Sequence, residues 1–325
     1  MLYLSYVPQQ AGAPADYGET RDTLFLEQDG SATELQTFRK KNLVDRPPAD
    51  APDPRLLTAL SDFVKKRGAD TRPVVLMVHG YSFNPRDAQE SPLASVYGFP
   101  HAVPPGPDHR MSWMPLVGEC DEAGGNLAEN AIGFSYNSMG GSLTDYGQAC
   151  WSNSYQYALF DLSPLAARAL ASLITALSAH PAQRFRIFAH SLGTRTTSPA
   201  VGLLGGKLPA NLDRILLLNG AEFSVDAARN FATCTSQVIN ILNTKDAVLD
   251  LGGEGAGAPI RPNESKEACV IGRDGLGGNT NWIDLQLDNP AICDRLAAMA
   301  GGACAISPDP TNTVHPQSSM RHWCS

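Results

Sequence analysis

Runs of apolar residues along the chain predict the strands of a buried sheet. Val74–Val78 consists of apolar residues only, without polar alternation, which is typical of a parallel strand covered on both faces. Similar short runs predict further strands at residues 2–7, 22–27, 131–135, 185–188, 213–219, 237–242 and 282–287.

Helical periodicity separates several of these runs. Residues 54–67 place apolar side chains at helical spacing behind Pro54, and residues 155–179 predict a long amphipathic helix with Pro164 to bend it. Strands that alternate with helical segments predict an α/β fold with a mostly parallel, right-handed sheet. We expect one domain over residues 1–325.

About fifty residues lie between the strand at 74–78 and the strand at 131–135, and they are rich in proline and glycine. A stretch of this length inside a compact domain is usually functional or disordered. We interpret residues 85–130 as a lid or insertion over a binding site. A surface excursion with its own small hydrophobic plug explains the same composition equally well.

Composition and charge exclude several classes of partner. The 25 basic and 33 acidic residues give a net charge of −8, which argues against binding to nucleic acid. No stretch approaches the length of a transmembrane helix, and residues 1–8 resemble a first strand more than a signal peptide. We therefore predict a cytoplasmic protein by default, with a secreted mature form as the alternative.

The seven cysteines keep that alternative open. Cys293 and Cys304 flank a Gly-Gly pair at a spacing that suits a short disulfide loop. The chain has no Cys-x-x-Cys pair and no His/Cys cluster at zinc spacing, so we predict neither a metal nor a cofactor.

Candidate chemistry centres on Ser191, in the turn Ala189-His-Ser-Leu-Gly193 between an apolar strand and a possible helix. A nucleophile elbow requires very small residues two positions before and two positions after the serine, because strand and helix pack closely there. Ala189 and Gly193 satisfy that requirement. Pro199 predicts that the helix after the turn is short or kinked.

A serine nucleophile needs a base and a carboxylate, and these groups collect at the carboxyl ends of parallel strands. Asp246 is the preferred acid because it follows the strand at 237–242. Glu222, after the preceding strand, and Asp250, in the same loop as Asp246, are the alternatives.

The chain order Ser, Asp, His requires a base after the last strand. His322 is preferred, because an aromatic residue directly follows it and could pack the ring in place, and His315 is the alternative. For the oxyanion we expect two backbone N–H donors, at Leu192 and at Tyr81. His79 and Gly80 would shape the loop that carries Tyr81.

In this order the motifs resemble those of the α/β-hydrolases, most closely a bacterial branch of poorly assigned serine hydrolases related to esterases and lipases. The resemblance covers about residues 55–250 well and the remainder thinly. It rests on the segments that start at Val74 (VVLMVHGYSFNPRDA), Gly133 (GFSYN), Arg186 (RIFAHSLGT), Asn243 (NTKDAVL) and His322 (HW). It implies Ser191 as nucleophile, Asp246 as acid, His322 as base, and Tyr81 and Leu192 as oxyanion donors.

We therefore predict a cofactor-free carboxylic-ester hydrolase that acts on a small-molecule or lipid-like ester through an acyl-enzyme. The same catalytic groups would suit a thioesterase, an amidase or an acyltransferase. A catalytically silent binding module with this fold is the alternative outside enzymology. The sequence contains no feature that predicts an oligomeric state.

Overall fold

The computed structural model describes residues 2–7, 21–28, 31–39, 51–81, 83–86, 91–97, 130–138, 158, 162–244, 249, 270–276, 281–287 and 289. Within these residues the fold is α/β, with one mixed and mostly parallel sheet of nine strands flanked by helices. The strands are β1 (Leu2–Val7), β2 (Arg21–Gln28), β3 (Ser31–Arg39), β4 (Val74–Val78), β5 (Ala131–Tyr136), β6 (Phe185–His190), β7 (Leu212–Leu218), β8 (Gln237–Leu242) and β9 (Trp282–Gln286).

The helices in the described part of the chain lie between these strands. They are α1 (Pro54–Arg67), α2 (Pro92–Ser95), α3 (Ser163–Leu177), α4 (Leu192–Leu203), α5 (Ser224–Phe231) and α6 (Ile271–Asp274). α4 continues through Pro199 for a full twelve residues, so the proline does not shorten it. Pro164 lies in the first turn of α3, where a missing N–H removes no bond of the helix.

The strand order is β3-β2-β1-β5-β4-β6-β7-β8-β9. The strands from β1 through β5, β4, β6, β7 and β8 to β9 run parallel, and β2 pairs antiparallel with β1 and β3. Parallel strands end at the same edge of a sheet. The segments that follow β4, β5, β6, β7 and β8 therefore leave the sheet at one edge, where sites of open parallel sheets form.

Both faces of the sheet are covered. Leu76 and Val78 of β4 join the main core, to which α1, α3, α4 and α5 contribute. Met77, on the opposite face of the same strand, packs in a second core with Leu93 and Tyr97 from α2 and the residues after it. Burial on both faces explains why β4 is apolar at every position.

The apolar pattern does not predict β3 or α5, because each of these elements buries only a few side chains. β3 is exposed over its first four residues, and its buried positions include the polar Gln36. α5 is a short helix with Ala227, Asn230 and Phe231 as its buried residues. Neither has the apolar density of β4 or α3.

Several predictions from the sequence concern residues that the structure does not describe. Of the expected lid at 85–130, residues 87–90 and 98–129 lie outside the described residues, as do Cys293 and Cys304. Cys234 is described, and it is a buried free thiol. Among the described helices, none combines the length and the apolar character that crossing a membrane would require.

Candidate active site

A single residue, Ser191, separates β6 from α4. β6 ends at His190 and α4 begins at Leu192. The Ser191 backbone has φ 49° and ψ −120°, a conformation that residues with a side chain rarely adopt. A non-glycine residue held in such a sparsely populated region costs about 1–3 kcal/mol. Such strain concentrates at functional sites, where the surrounding structure maintains it.

Backbone hydrogen bonds hold the strained turn on both sides. The Ser191 N–H donates to the Leu218 carbonyl at 2.9 Å, which extends the pairing of β6 with β7. The Ser191 carbonyl accepts from the Thr194 N–H at 3.0 Å, from the Thr194 hydroxyl at 2.7 Å and from the Ala221 N–H at 3.1 Å. The backbone of Ser191 is therefore secured, while the residue remains partly exposed.

Two glycines let the loop after β4 approach Ser191. A Cβ on Gly193 would lie 2.5 Å from the carbonyl oxygens of both Val78 and His79, so a larger residue would force α4 away from β4. A Cβ on Gly80 would lie 3.0 Å from the Ser191 Cβ. The structure thus brings together Ser191, Gly80 and His79, which the sequence placed in one candidate site from segments more than a hundred residues apart.

His79 is fully buried and uses both ring nitrogens. The Tyr136 N–H donates to Nε2 at 3.1 Å, so Nδ1 carries the ring proton and donates to the Gly80 carbonyl at 2.9 Å. The imidazole also stacks on the Tyr136 ring, with the centroids 4.5 Å apart. Burial lowers the pKa of His79 to about 3. His79 is therefore neutral at pH 7, and it organises the loop instead of serving Ser191 as a base.

Further contacts fasten this loop at both ends. At its start, the buried Tyr97 hydroxyl accepts the His79 N–H at 3.1 Å and donates to the Phe134 carbonyl at 2.7 Å. At its far end, Arg86 forms an ion pair with Glu27 of β2 at 2.9 Å. The loop from His79 to Arg86 is thus anchored to β5 on one side and to the antiparallel strands on the other.

The two expected oxyanion donors lie in one small apolar cluster. Leu192 is fully buried and packs with Ala158, and the partly buried Tyr81 and Phe223 lie against them. Leu192 is the first residue of α4, so its N–H has no acceptor within that helix. An N–H in this position also carries the positive end of the helix dipole, which favours a developing anion.

The carboxylate of Glu222, one of the three candidate acids, forms an ion pair with a residue of the neighbouring helix. It pairs with Arg195 of α4 and accepts the Phe223 N–H at 2.9 Å, and Arg195 also bonds Asp226 at 3.0 Å. Glu222 is fully buried, and burial raises the pKa of its carboxyl above the ordinary value. Both bonds engage the Oε1 atom of Glu222, which is thus held by α4 and by the residue before α5.

The other candidates for acid and base, Asp246, Asp250, His315 and His322, lie outside the described residues. β8, the strand that precedes Asp246 and Asp250, ends at Leu242 beside β7. The described part of the chain contains no group of three His, Cys, Asp or Glu side chains that could hold a metal ion.

Sequence reasoning did not identify Tyr97, Arg195 or Phe223 as residues that shape the site. Phe223 directly follows Glu222 in the segment after β7, and that position behind a parallel strand was the available signal. Tyr97 and Arg195 carry no such signal, because their partners come from other elements of the fold.

No model of a known protein family matches the chain, and no curated protein matches it significantly in sequence.

The burial of neutral His79 predicts a pH dependence of stability. A buried histidine with a pKa of about 3 binds no proton at pH 5, whereas the unfolded chain binds one below its ordinary pKa of 6.5. Stability is therefore lost as the pH falls. Relative to His79→Gln, the wild type should lose about 2 kcal/mol of unfolding free energy between pH 7 and pH 5.

Urea denaturation at the two pH values measures this difference. His180→Gln is the matched control, because His180 is less deeply buried, and its difference from the wild type should change less with pH. A stability difference between the wild type and His79→Gln that stays constant over this range would contradict the neutral, buried assignment.

Proposed function

We propose that this chain is a serine hydrolase with the α/β-hydrolase fold, and that it cleaves carboxylic esters through an acyl-enzyme on Ser191. The observation that carries the proposal is the backbone of Ser191, with φ 49° and ψ −120°, at the junction of a strand and a helix. A protein gains no stability from such a conformation at a serine. It is the conformation that exposes a nucleophile at the tip of a strand.

The position of Ser191 in the sheet supports the same proposal. β6 lies between β4 and β7, inside the parallel part of the sheet. The segments after β4, β7 and β8 leave the sheet at the edge where Ser191 lies, and they carry Tyr81, Glu222 and Asp246 respectively. A nucleophile, an oxyanion loop and an acid from separate strand ends are three of the four parts that acyl transfer requires, and His322 would supply the fourth, the base.

In the proposed mechanism, the Ser191 hydroxyl attacks the ester carbonyl while His322 accepts its proton. Asp246 orients the imidazole and stabilises its protonated form. The tetrahedral intermediate collapses, the C–O bond to the alcohol breaks, and His322 returns the proton to the departing alcohol. Water, deprotonated by His322, then attacks the acyl-enzyme. The bond between the acyl carbon and the Ser191 oxygen breaks, and His322 returns the proton to that oxygen, which releases the carboxylic acid and free Ser191.

The oxyanion of both tetrahedral intermediates would accept hydrogen bonds from the Leu192 and Tyr81 N–H groups. The neutral imidazole of His79 contributes to the loop through its hydrogen bonds, so stabilisation of the oxyanion would come from the two N–H donors. Donors that are held in place before reaction lower the barrier without reorganisation, and each is worth about 10²–10³ in kcat.

The apolar cluster around the nucleophile favours an apolar acyl group. Hydrocarbon and aromatic side chains pack together at the start of α4, namely those of Leu192, Ala158, Tyr81 and Phe223. The expected lid at 85–130 would close over this surface. Thioesters, amides and acyl transfer remain within the reach of the same groups. A catalytically silent binding protein is the competing proposal, and covalent labelling separates it from an enzyme.

A fluorophosphonate probe tests the nucleophile. The folded wild type should be labelled on Ser191, because the probe phosphonylates only an activated serine, and Ser191→Ala should not be labelled. Ser224→Ala, at a partly buried hydroxyl that donates to the Gly275 carbonyl, is the control and should be labelled like the wild type. If folded wild-type protein does not react, the hydrolase proposal is wrong and a binding module is favoured.

Turnover of p-nitrophenyl butyrate tests the acid and the base. Asp246→Asn should lower kcat by about 10⁴, since an amide holds the wrong histidine tautomer, and His322→Ala should lower it at least as much. Glu222→Gln should instead destabilise the fold and leave kcat nearly unchanged, because its carboxylate binds Arg195. If His315→Ala or Asp250→Asn removes activity while the preferred variants keep it, the assignment of the triad is wrong.

Phe223 is expected to set acyl-chain preference, because its ring packs beside Leu192 under the Arg195 guanidinium, 4.6 Å from the ring centroid. Phe223→Ala should lower kcat/KM for the butyrate ester about tenfold more than for the acetate ester, since contact with the longer chain is lost. Val225→Ala, at a residue that is 74% exposed, should change neither value. Equal losses for the two esters would rule out a role in chain selection.

A further inference from the structure

The peptide group between Gly80 and Tyr81 is held by two buried side chains. The Ser138 hydroxyl lies 2.8 Å from the Gly80 carbonyl oxygen, and the His79 Nδ1 lies 2.9 Å from the same atom. Both side chains are fully buried. Ser138 follows β5, so this contact joins the segment after β5 to the loop after β4 across 58 residues of sequence.

Both of these groups donate to the Gly80 carbonyl. Nδ1 of His79 carries the ring proton, as its other nitrogen accepts the Tyr136 N–H. The Ser138 hydroxyl accepts the Phe83 N–H at 3.1 Å and has one proton to give. Its nearest acceptor is the Gly80 carbonyl at 2.8 Å, compared with 3.3 Å for the Phe83 carbonyl.

Planarity carries this restraint to the other edge of the peptide. No cis peptide bond occurs in the described part of the chain, so the Tyr81 N–H points opposite to the Gly80 carbonyl. Because the carbonyl is directed at two interior side chains, the N–H is directed away from them. The Gly80 side of this peptide lies against Ser191, where an added Cβ would be 3.0 Å from the serine Cβ.

We propose that Ser138 is a positioning residue, which fixes the plane of the Gly80–Tyr81 peptide and thereby aims the Tyr81 N–H at the oxyanion. This inference rests on the proposed hydrolase function. The hydroxyl also polarises the peptide, since a hydrogen bond to the carbonyl strengthens the N–H as a donor. Ser138 itself touches neither the substrate nor Ser191 in this role.

A second bond makes Ser138 suited to this task. Its own N–H donates to the Phe83 carbonyl at 2.8 Å, so Ser138 grips the loop on both sides of Tyr81. His79, which is itself bonded to Tyr136 of β5, reaches the Gly80 carbonyl from the residue next to it in sequence. Ser138 adds a second connection, between the loop and the segment that directly follows β5, so the sheet restrains the orientation of the loop. Oxyanion donors are effective when they are held in this way before the reaction.

The test compares Ser138→Ala with Ser135→Ala in the full-length protein. Ser135 is the matched control, because it is also fully buried on β5 and its hydroxyl has no hydrogen-bond partner among the described residues. Fluorophosphonate labelling of the wild type first establishes that Ser191 is reactive. Steady-state kinetics with p-nitrophenyl butyrate and inhibition by butylboronic acid, which forms an anionic tetrahedral adduct, are then measured for all three proteins.

For Ser138→Ala we expect kcat to fall about 10- to 100-fold with KM unchanged, because the lost interaction acts only on the transition state. The inhibition constant of the boronic acid should rise by the same factor by which kcat/KM falls. Ser135→Ala should match the wild type in both measurements. A variant damaged only in packing would not show matched losses in catalysis and transition-state-analogue binding at constant KM.

The outcomes separate the two proposals. A wild type that neither reacts with the fluorophosphonate nor turns over the ester overturns the proposed function, and the role of Ser138 falls with it. A reactive wild type overturns the role of Ser138 alone if Ser138→Ala retains kcat/KM within twofold, if Ser135→Ala loses as much, or if KM rises while boronic acid inhibition is unchanged.

Discussion

The close contact between the first turn of α4 and the end of β4 is the constraint on which the candidate site depends. Gly193 lies against the Val78 and His79 carbonyls at a distance that leaves no room for a Cβ. This contact holds the first turn of α4 against β4, and Ser191, with its φ of 49°, is the one residue between β6 and that turn. The loop after β4 then lies beside the serine, because Gly80 permits that approach.

The strain at Ser191 and the burial of polar groups around it have a common explanation. Neutral His79, Tyr97 and Ser138 are all buried, and each forms hydrogen bonds to backbone groups near the ends of β4 and β5. Satisfied polar groups of this kind rigidify a core, at the cost of desolvation and pH sensitivity. A protein that needed only a stable sheet would place hydrocarbon here. The buried polar groups hold a rigid loop beside the strained serine, which hydrocarbon side chains could not do by hydrogen bonding.

The buried strands were the most predictable part of the fold. β4 and β8 have the bounds that the sequence predicts, because strands covered on both faces contain apolar residues in a dense run. β3 and α5 were missed, since each buries only a few side chains and mixes polar with apolar residues. Among the candidate acids, the sequence ranked Asp246 above Glu222 only by its position after a strand, and it did not predict a partner for Glu222. The structure adds that Glu222 pairs with Arg195, a partner supplied by another element.

The sequence by itself determined the local requirements of the candidate site: a serine between a strand and a helix, with small residues two positions to either side, and a His-Gly pair after a buried strand. These are requirements of backbone geometry over a few residues, so a short pattern can express them. Only the tertiary structure decided that Gly80 lies against Ser191, that His79 is neutral, and that Ser138 bonds the Gly80 carbonyl. Those contacts depend on strand order, which places β4 between β5 and β6, and no local pattern encodes which strands become neighbours.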